Sequence, residues 1–483
     1  MRSPSVAVIG TGFGGLAAVI ELKKRGYDDI VVFEKADDVG GVWRENTYPG
    51  AACDVPSPFY SYSYEPNPRW PHRFSRQPAI LDYIRNVADK YDVRRHVRFS
   101  TEVVSAAFDE STGKWTVETD HGDAVVVDVL VSAVGQLSRP SYPDIEGAET
   151  FEGPAFHSAL WDHDVDLAGK RVAVIGTGAS AVQFVPEIQP EVAQLTLFQR
   201  SAPYIHARPD REFSELHHQV FEKLPAALQV ERGYWYSRTE SLGIALLHSK
   251  ALSTYFEWTC KRHMKKQTKA KAGLFEKIWP TYTFGCKRVL FSNDYLPALA
   301  QPNVEVETER ITGITPTGVV TADGVEHETD VIIWGTGFKA TEFLAPMSIK
   351  GAGGRDLHDV WRDGARAYYG ISVPHFPNLF VMYGPNTNTG GGSIIFFLET
   401  QARYLGDYVD HLADVSGQLV VRPEVEQDFD ERTQERLNDS VWSQCASWYR
   451  NENGRVTTNW PSLAVQYKAQ AKFDPADYEV VGQ

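Results

Sequence analysis

Two glycine-rich loops carry the spacing in this 483-residue chain that chemistry could use: Gly10-Thr-Gly12-Phe-Gly14-Gly15 and Gly176-Thr-Gly178-Ala-Ser180-Ala181. In such a loop the first glycine makes a tight turn and the second lets the backbone approach a pyrophosphate. The third lets helix pack on strand, and the helix N-terminus adds partial positive charge. Counted from the first glycine of each loop, Glu34 and Arg200 fall at the same offset of 24 residues. A carboxylate there accepts the hydroxyls of a free ribose and repels a 2′-phosphate, whereas a guanidinium binds that phosphate in a fork. The first loop therefore suits an adenine dinucleotide with an unmodified ribose, and the second suits NADP.

Positioning these groups requires a strand before each loop, a helix after it and a second strand ending at Glu34 or Arg200. The apolar runs Val6-Ala-Val-Ile9 and Ile30-Val-Val-Phe33 meet that need in the first copy, and Arg171-Val-Ala-Val-Ile175 and Leu195-Thr-Leu-Phe198 meet it in the second. Between the copies lies Phe151-Glu-Gly153-Pro-Ala-Phe-His157-Ser-Ala-Leu-Trp161-Asp162, a linker in a chain expected to move electrons from one dinucleotide to the other. His157, flanked by apolar residues, reads as a core or linker residue with one satisfied nitrogen and not as a proton carrier. Two further apolar runs ending in glycine, Val129 to Gly135 and Asp330 to Phe338, look like strands that return the chain to the other unit. From Arg208 to Cys286 the pattern turns helical, with Phe213, Leu216, Val220 and Leu224 at helix spacing, and the basic run from Lys261 to Lys271 reads as a solvated face.

Composition bounds the rest. With 42% hydrophobic and 23% charged residues, the chain has ample core for two or three globular domains. A net charge of −15 argues against a nucleic-acid partner, which needs a basic face. No apolar run reaches the roughly 18 residues of a membrane-spanning helix, so no membrane partner is expected. The short apolar run near Met1 breaks into glycines and reads as a first strand, not a signal peptide. Cys53, Cys260, Cys286 and Cys445 are scattered without metal-ligand spacing, so neither a disulfide framework nor a metal site is expected, and a reducing cytoplasm is the simplest setting.

The chain resembles the type I Baeyer–Villiger monooxygenases within the wider flavin-containing monooxygenase group. The family fingerprint FxGxxxHxxxW[PD] is matched by Phe151, Gly153, His157, Trp161 and Asp162. A second pattern, [AG]GxWxxxx[FY]P[GM]xxxD, is matched by Gly40, Gly41, Trp43, Tyr48, Pro49, Gly50 and Asp54. The similarity runs from Val6 to beyond Trp460. It implies an α/β fold with two Rossmann-like dinucleotide-binding domains, for FAD and NADP, and a helical insertion. The FAD-binding domain would comprise 1–140 and 340–483, the NADP-binding domain 141–208 and 287–339, and the helical subdomain 209–286.

The resemblance also implies an activity: NADPH reduces FAD, dioxygen adds to it, and the resulting flavin peroxide anion converts a ketone to an ester or lactone. The alternative is a flavin monooxygenase that oxidises nitrogen or sulfur. A disulfide reductase would need a cysteine pair near the first loop, where Cys53 stands alone. By the same resemblance, Arg288 in Thr283-Phe-Gly-Cys-Lys287-Arg288 is the active-site arginine, held by Asp54, and the cation suits a developing oxyanion because it cannot give up a proton. FAD, bound non-covalently, would be held by Gly10, Gly12, Gly15, Glu34, Gly41, Trp43, Asp54, Tyr60 and Val103. NADP would be held by Gly176, Gly178, Ser180, Arg200, Ser201, Lys287 and Trp448. Gly384-Pro385-Asn386 would close over the flavin ring; Phe396, Phe397, Trp448 and Tyr449 are candidates for the pocket wall, though each reads first as a packed aromatic.

Overall fold

The run Val6–Ile9 is apolar, largely β-branched and buried at every position, as suits a strand covered on both faces. In the computed structural model, which describes residues 3–482, it is the middle strand of a five-stranded parallel sheet. The order is Leu379–Val381, Val129–Ser132, Val6–Ile9, Ile30–Phe33, Val97–Arg98. A second parallel sheet has the order Val304–Glu307, Gln194–Phe198, Arg171–Ile175, Val331–Trp334, Ala155–His157. In both, the opening strand is central and its glycine loop lies at the carboxyl end, where open α/β sheets bind ligands. The chain is thus α/β with two Rossmann-like units.

Each sheet is completed by distant chain: the first takes Leu379–Val381, and the second takes Val304–Glu307 and Val331–Trp334 from beyond the helical insertion. The apolar runs after Val129 and Asp330 are therefore core strands, each fully buried. A smaller sheet of Ser348–Lys350, Val103–Asp109, Lys114–Thr119 and Ala124–Val127 packs beside the first unit.

The insertion consists of the helices Glu215–Lys223, Pro225–Leu247, Lys250–Gln267 and Leu274–Ile278. The helix expected from the Leu216, Val220 and Leu224 spacing forms, but those residues are exposed, Leu216 at 70%. Phe221 anchors the helix instead, edge-on to the buried Phe213 at 5.5 Å. Lys261 and Lys265 sit over the rings of Trp279 and Phe275 and keep their charges in water, whereas Lys271 at the end of the run is partly buried and donates to the Leu299 and Gln301 carbonyls.

One expectation is overturned. Cys286 and Cys445 form a disulfide across 159 residues of sequence. No local spacing could have shown it, because the pairing depends on the C-terminal segment folding back beside Lys287 and Arg288. Cys53 and Cys260 are free and buried. Among the described residues there is no cluster able to hold a metal and no helix long and apolar enough to cross a membrane.

Candidate active site at the junction of the two units

The glycines of the first loop are there for different reasons. Gly10 has φ +99° and a Cβ on it would lie 2.8 Å from the Ala133 carbonyl oxygen, while a Cβ on Gly15 would lie 1.9 Å from the Gly10 oxygen. Gly12 is different: its nearest neighbour would be Gly41 Cα at 3.7 Å, so its outer side is open as a cradle for a pyrophosphate. The second loop repeats the arrangement. A Cβ on Gly176 would meet the Gly335 oxygen at 2.3 Å, whereas Gly178 has nothing nearer than 3.9 Å.

Glu34 is buried at the end of its strand, accepts from the Thr11 backbone N–H (3.0 Å) and hydroxyl (2.5 Å) and the Ala36 N–H (3.1 Å), and forms an ion pair with Arg44 Nη1 (3.1 Å). Three protein donors and one cation thus already surround the carboxylate, and ribose hydroxyls would have to compete with them. Trp43 Nε1 donates to the Tyr60 hydroxyl (3.1 Å), and Tyr60 packs edge-on to Phe13 of the loop at 5.4 Å. Val103 is buried with Ile9 and Phe33.

At the end of Gln194–Phe198, the residues Arg200, Ser201 and Lys287 come together. Lys287 Nζ donates to Ser201 Oγ at 2.9 Å, and its pKa is lowered by burial and by the nearby charge of Arg200. Thr177 of the second loop donates to the Ser201 carbonyl, and Ser180 opens the following helix. Two cations held close at an open helix N-terminus want an anion, and a phosphate provides one.

Arg288 and Asp54 meet between the two units. Nε and Nη2 of Arg288 donate to the two Asp54 carboxylate oxygens at 2.9 and 2.8 Å, a bidentate fork. Asp54 holds the guanidinium pKa above its ordinary value against the opposing effect of burial. About a fifth of each side chain stays accessible, 24% for Arg288 and 20% for Asp54, so the pair can still meet a ligand. Asp54 reaches this place because its segment docks on the second unit: Gln183 accepts from Tyr48 Oη and the Ala52 N–H, and donates to the Ala52 carbonyl. The adjacent Cys53 thiol is pushed up by burial, which makes it a poor nucleophile.

His157 is fully buried between the rings of Tyr142 (5.3 Å) and Phe338 (5.9 Å), with Nδ1 accepting from the Ala159 N–H. Burial lowers its pKa, so it is neutral, and its partners lie where the chain crosses between units. Trp161, partly buried, packs on Phe156 and Phe184 against the core of the second unit. Phe397 is buried and stacked on Tyr467, so it is core and not pocket wall, whereas Phe396 is partly exposed and stacked on Tyr236. Trp448 is 37% exposed and leans on Tyr449, which is completely buried.

The sequence reading missed two residues. Gln183 was findable as the one amide in the apolar helix Ala179–Ile188. Tyr383, whose charge interactions include Arg288 and Asp54, gave no signal, because it sits beside them only through a left-handed turn, φ +59°.

Residues 3–350 match the flavin-binding monooxygenase-like family. A Baeyer–Villiger monooxygenase of Streptomyces coelicolor is 44% identical over 99% of this chain and 92% of its own length. The chain belongs to the Baeyer–Villiger branch of that family. A Baeyer–Villiger monooxygenase of Pseudomonas aeruginosa is 42% identical over 99% of the chain and 92% of its own length. Among solved structures, a steroid monooxygenase bound to NADP superposes with a TM-score of 0.87 at 30% identity, covering both chains completely. A closed cyclohexanone monooxygenase superposes with a TM-score of 0.88 at 28% identity, over 99% of each chain. As a member of this branch, the enzyme is a flavoprotein monooxygenase using FAD and NADP. Baeyer–Villiger monooxygenases use NADPH and dioxygen to convert ketones to esters or lactones.

Proposed function

We propose that this enzyme oxygenates ketones at the Arg288–Asp54 pair, with FAD on the first loop and NADPH on the second. The observation that carries this reading is the fork itself, a permanently charged cation held at the junction of two units whose glycine loops are each open at the middle glycine. Gly10, Gly12, Gly15, Glu34, Gly41, Trp43, Asp54, Tyr60 and Val103 would hold FAD. Gly176, Gly178, Ser180, Arg200, Ser201, Lys287 and Trp448 would hold NADPH. The bound FAD, reduced by NADPH, supplies the electrons that activate dioxygen.

The chain's own residues do the rest. Arg288 binds the carbonyl oxygen as it gains negative charge, and its raised pKa leaves it no proton to release. Asp54 fixes the plane of the guanidinium so that its free edge faces the substrate. His157 and the Phe151–Asp162 linker align the two units without proton transfer. In domain terms, 1–140 with 340–483 would bind FAD, 141–208 with 287–339 NADP, and 209–286 would form the helical subdomain. The location proposed is the cytoplasm, with no nucleic-acid or membrane partner; the Cys286–Cys445 bond is the feature that argues the other way.

The test is product analysis with a panel of linear, cyclic and bulky ketones, NADPH and labelled dioxygen. One labelled oxygen in an ester or lactone is the expected result. NADPH consumption that yields only hydrogen peroxide across the panel would defeat the proposal.

A further inference from the structure

Tyr449 is completely buried, yet its hydroxyl has no hydrogen-bond partner of good geometry. Leaving such a group without a partner is costly, and a ligand that supplies one removes the cost. Two neighbours share the condition: Asn459 Nδ2 and the Thr457 hydroxyl are buried and unpartnered, on a segment that doubles back where the Thr457 N–H donates to the Tyr449 carbonyl (3.1 Å). The rest of Asn459 is committed, with Oδ1 accepting from Asn388 Nδ2 (3.0 Å) and the backbone oxygen from Asn386 Nδ2 (3.1 Å). The amide is therefore fixed, and its nitrogen, which has no partner of good geometry, lies beside the Tyr449 hydroxyl.

This segment lies beside the catalytic cation. Tyr449 shares a core with Cys286 and Val289, which flank Arg288, and the disulfide ties the chain just before it to the same place. Burial pushes the phenol up to about 12, opposed by the charge of Arg288, so it keeps its proton while lying within reach of the guanidinium's field. Such a phenol donates a hydrogen bond without surrendering a proton.

We propose that the Tyr449 hydroxyl, with Asn459 Nδ2 beside it, forms a donor subsite for the carbonyl oxygen of the ketone, acting together with Arg288. The inference rests on the ketone reading of the site and adds a second recognition element to it. A substrate with no carbonyl oxygen gains nothing from this subsite. An acceptor on the nicotinamide is the competing occupant.

Tyr449→Phe tests this, because it removes only the unpartnered oxygen. The FAD-loaded variant should melt at or above the wild-type temperature, while kcat/KM for a good ketone falls on the order of tenfold to a hundredfold. Anaerobic flavin reduction by NADPH, NADPH affinity and the oxidation of methyl phenyl sulfide, which has no carbonyl, should stay within about twofold of wild type. The proposal is overturned if ketone kcat/KM is unchanged, if sulfide and ketone activities fall together, if the loss traces to weaker NADPH binding, or if the variant unfolds. Wild-type enzyme that oxygenates no ketone would sink the parent reading as well, and that control is run first.

Discussion

Asp54 and Arg288 stand 234 residues apart in sequence, and their side chains close a two-bond fork at 2.9 and 2.8 Å across the junction of the two dinucleotide units. Each unit contributes one charge, so the pair exists only when the units are docked. Without Asp54 the guanidinium keeps its charge but loses its orientation. Asp54→Ala should therefore lower ketone oxygenation by roughly 10- to 100-fold and raise the hydrogen peroxide released per NADPH. A variant with wild-type coupling and rate would remove Asp54 from the site.

Arg200, Ser201 and Lys287 gather where a 2′-phosphate would lie. Arg200→Glu should cut kcat/KM for NADPH by about 100-fold, the loss of one charge-assisted fork plus a new repulsion, and leave NADH nearly unchanged. Steady-state kinetics with both coenzymes decide it, and an unaltered preference contradicts the assignment.

Both glycine loops, their strands and the opposed Glu34 and Arg200 were legible because backbone approach and strand burial leave local marks: glycine spacing and short apolar runs. The Arg288–Asp54 pair was reachable only through resemblance, since nothing in either local sequence specifies the other. The disulfide was misread for the same reason, as it joins segments that meet only when the C-terminal stretch folds back beside Lys287 and Arg288. The apolar spacing of Leu216, Val220 and Leu224 predicted a helix correctly but not its buried side, because Phe213 and Phe221 hold it from another direction. Glu34 shows the reverse case: its position was predicted, yet Thr11, Ala36 and Arg44 occupy its oxygens.

The Cys286–Cys445 bond ties the Arg288 segment to the segment carrying Trp448 and Tyr449. Denatured, unreduced enzyme should titrate two thiols, those of Cys53 and Cys260, and fully reduced enzyme four. Cys445→Ser should lower stability by roughly 2–4 kcal/mol and reduce ketone turnover more than flavin reduction. Four thiols in the unreduced enzyme would show that the bond does not form.

Glu426 is buried with Oε1 unpartnered, and burial raises its pKa from 4.5 to about 7, despite Arg366 at 3.7 Å. The folded protein holds this proton where the unfolded chain has lost it, so stability declines as pH rises from about 4.5 to about 7 and is flat above. Glu426→Gln should remove that slope and stabilise the enzyme at pH 8 by about 1–3 kcal/mol, read from denaturant melts at pH 5 and pH 8. An equal pH slope in the variant would place the titration elsewhere.

In the proposed mechanism Arg288 serves oxygen transfer and not hydride delivery. Arg288→Ala, loaded with FAD, should be reduced by NADPH anaerobically at a rate within a few-fold of wild type, yet form ester from a good ketone at least about 100-fold more slowly. NADPH oxidation in air should then end in hydrogen peroxide. Ester formation near the wild-type rate in that single-turnover comparison would remove Arg288 from oxygen transfer.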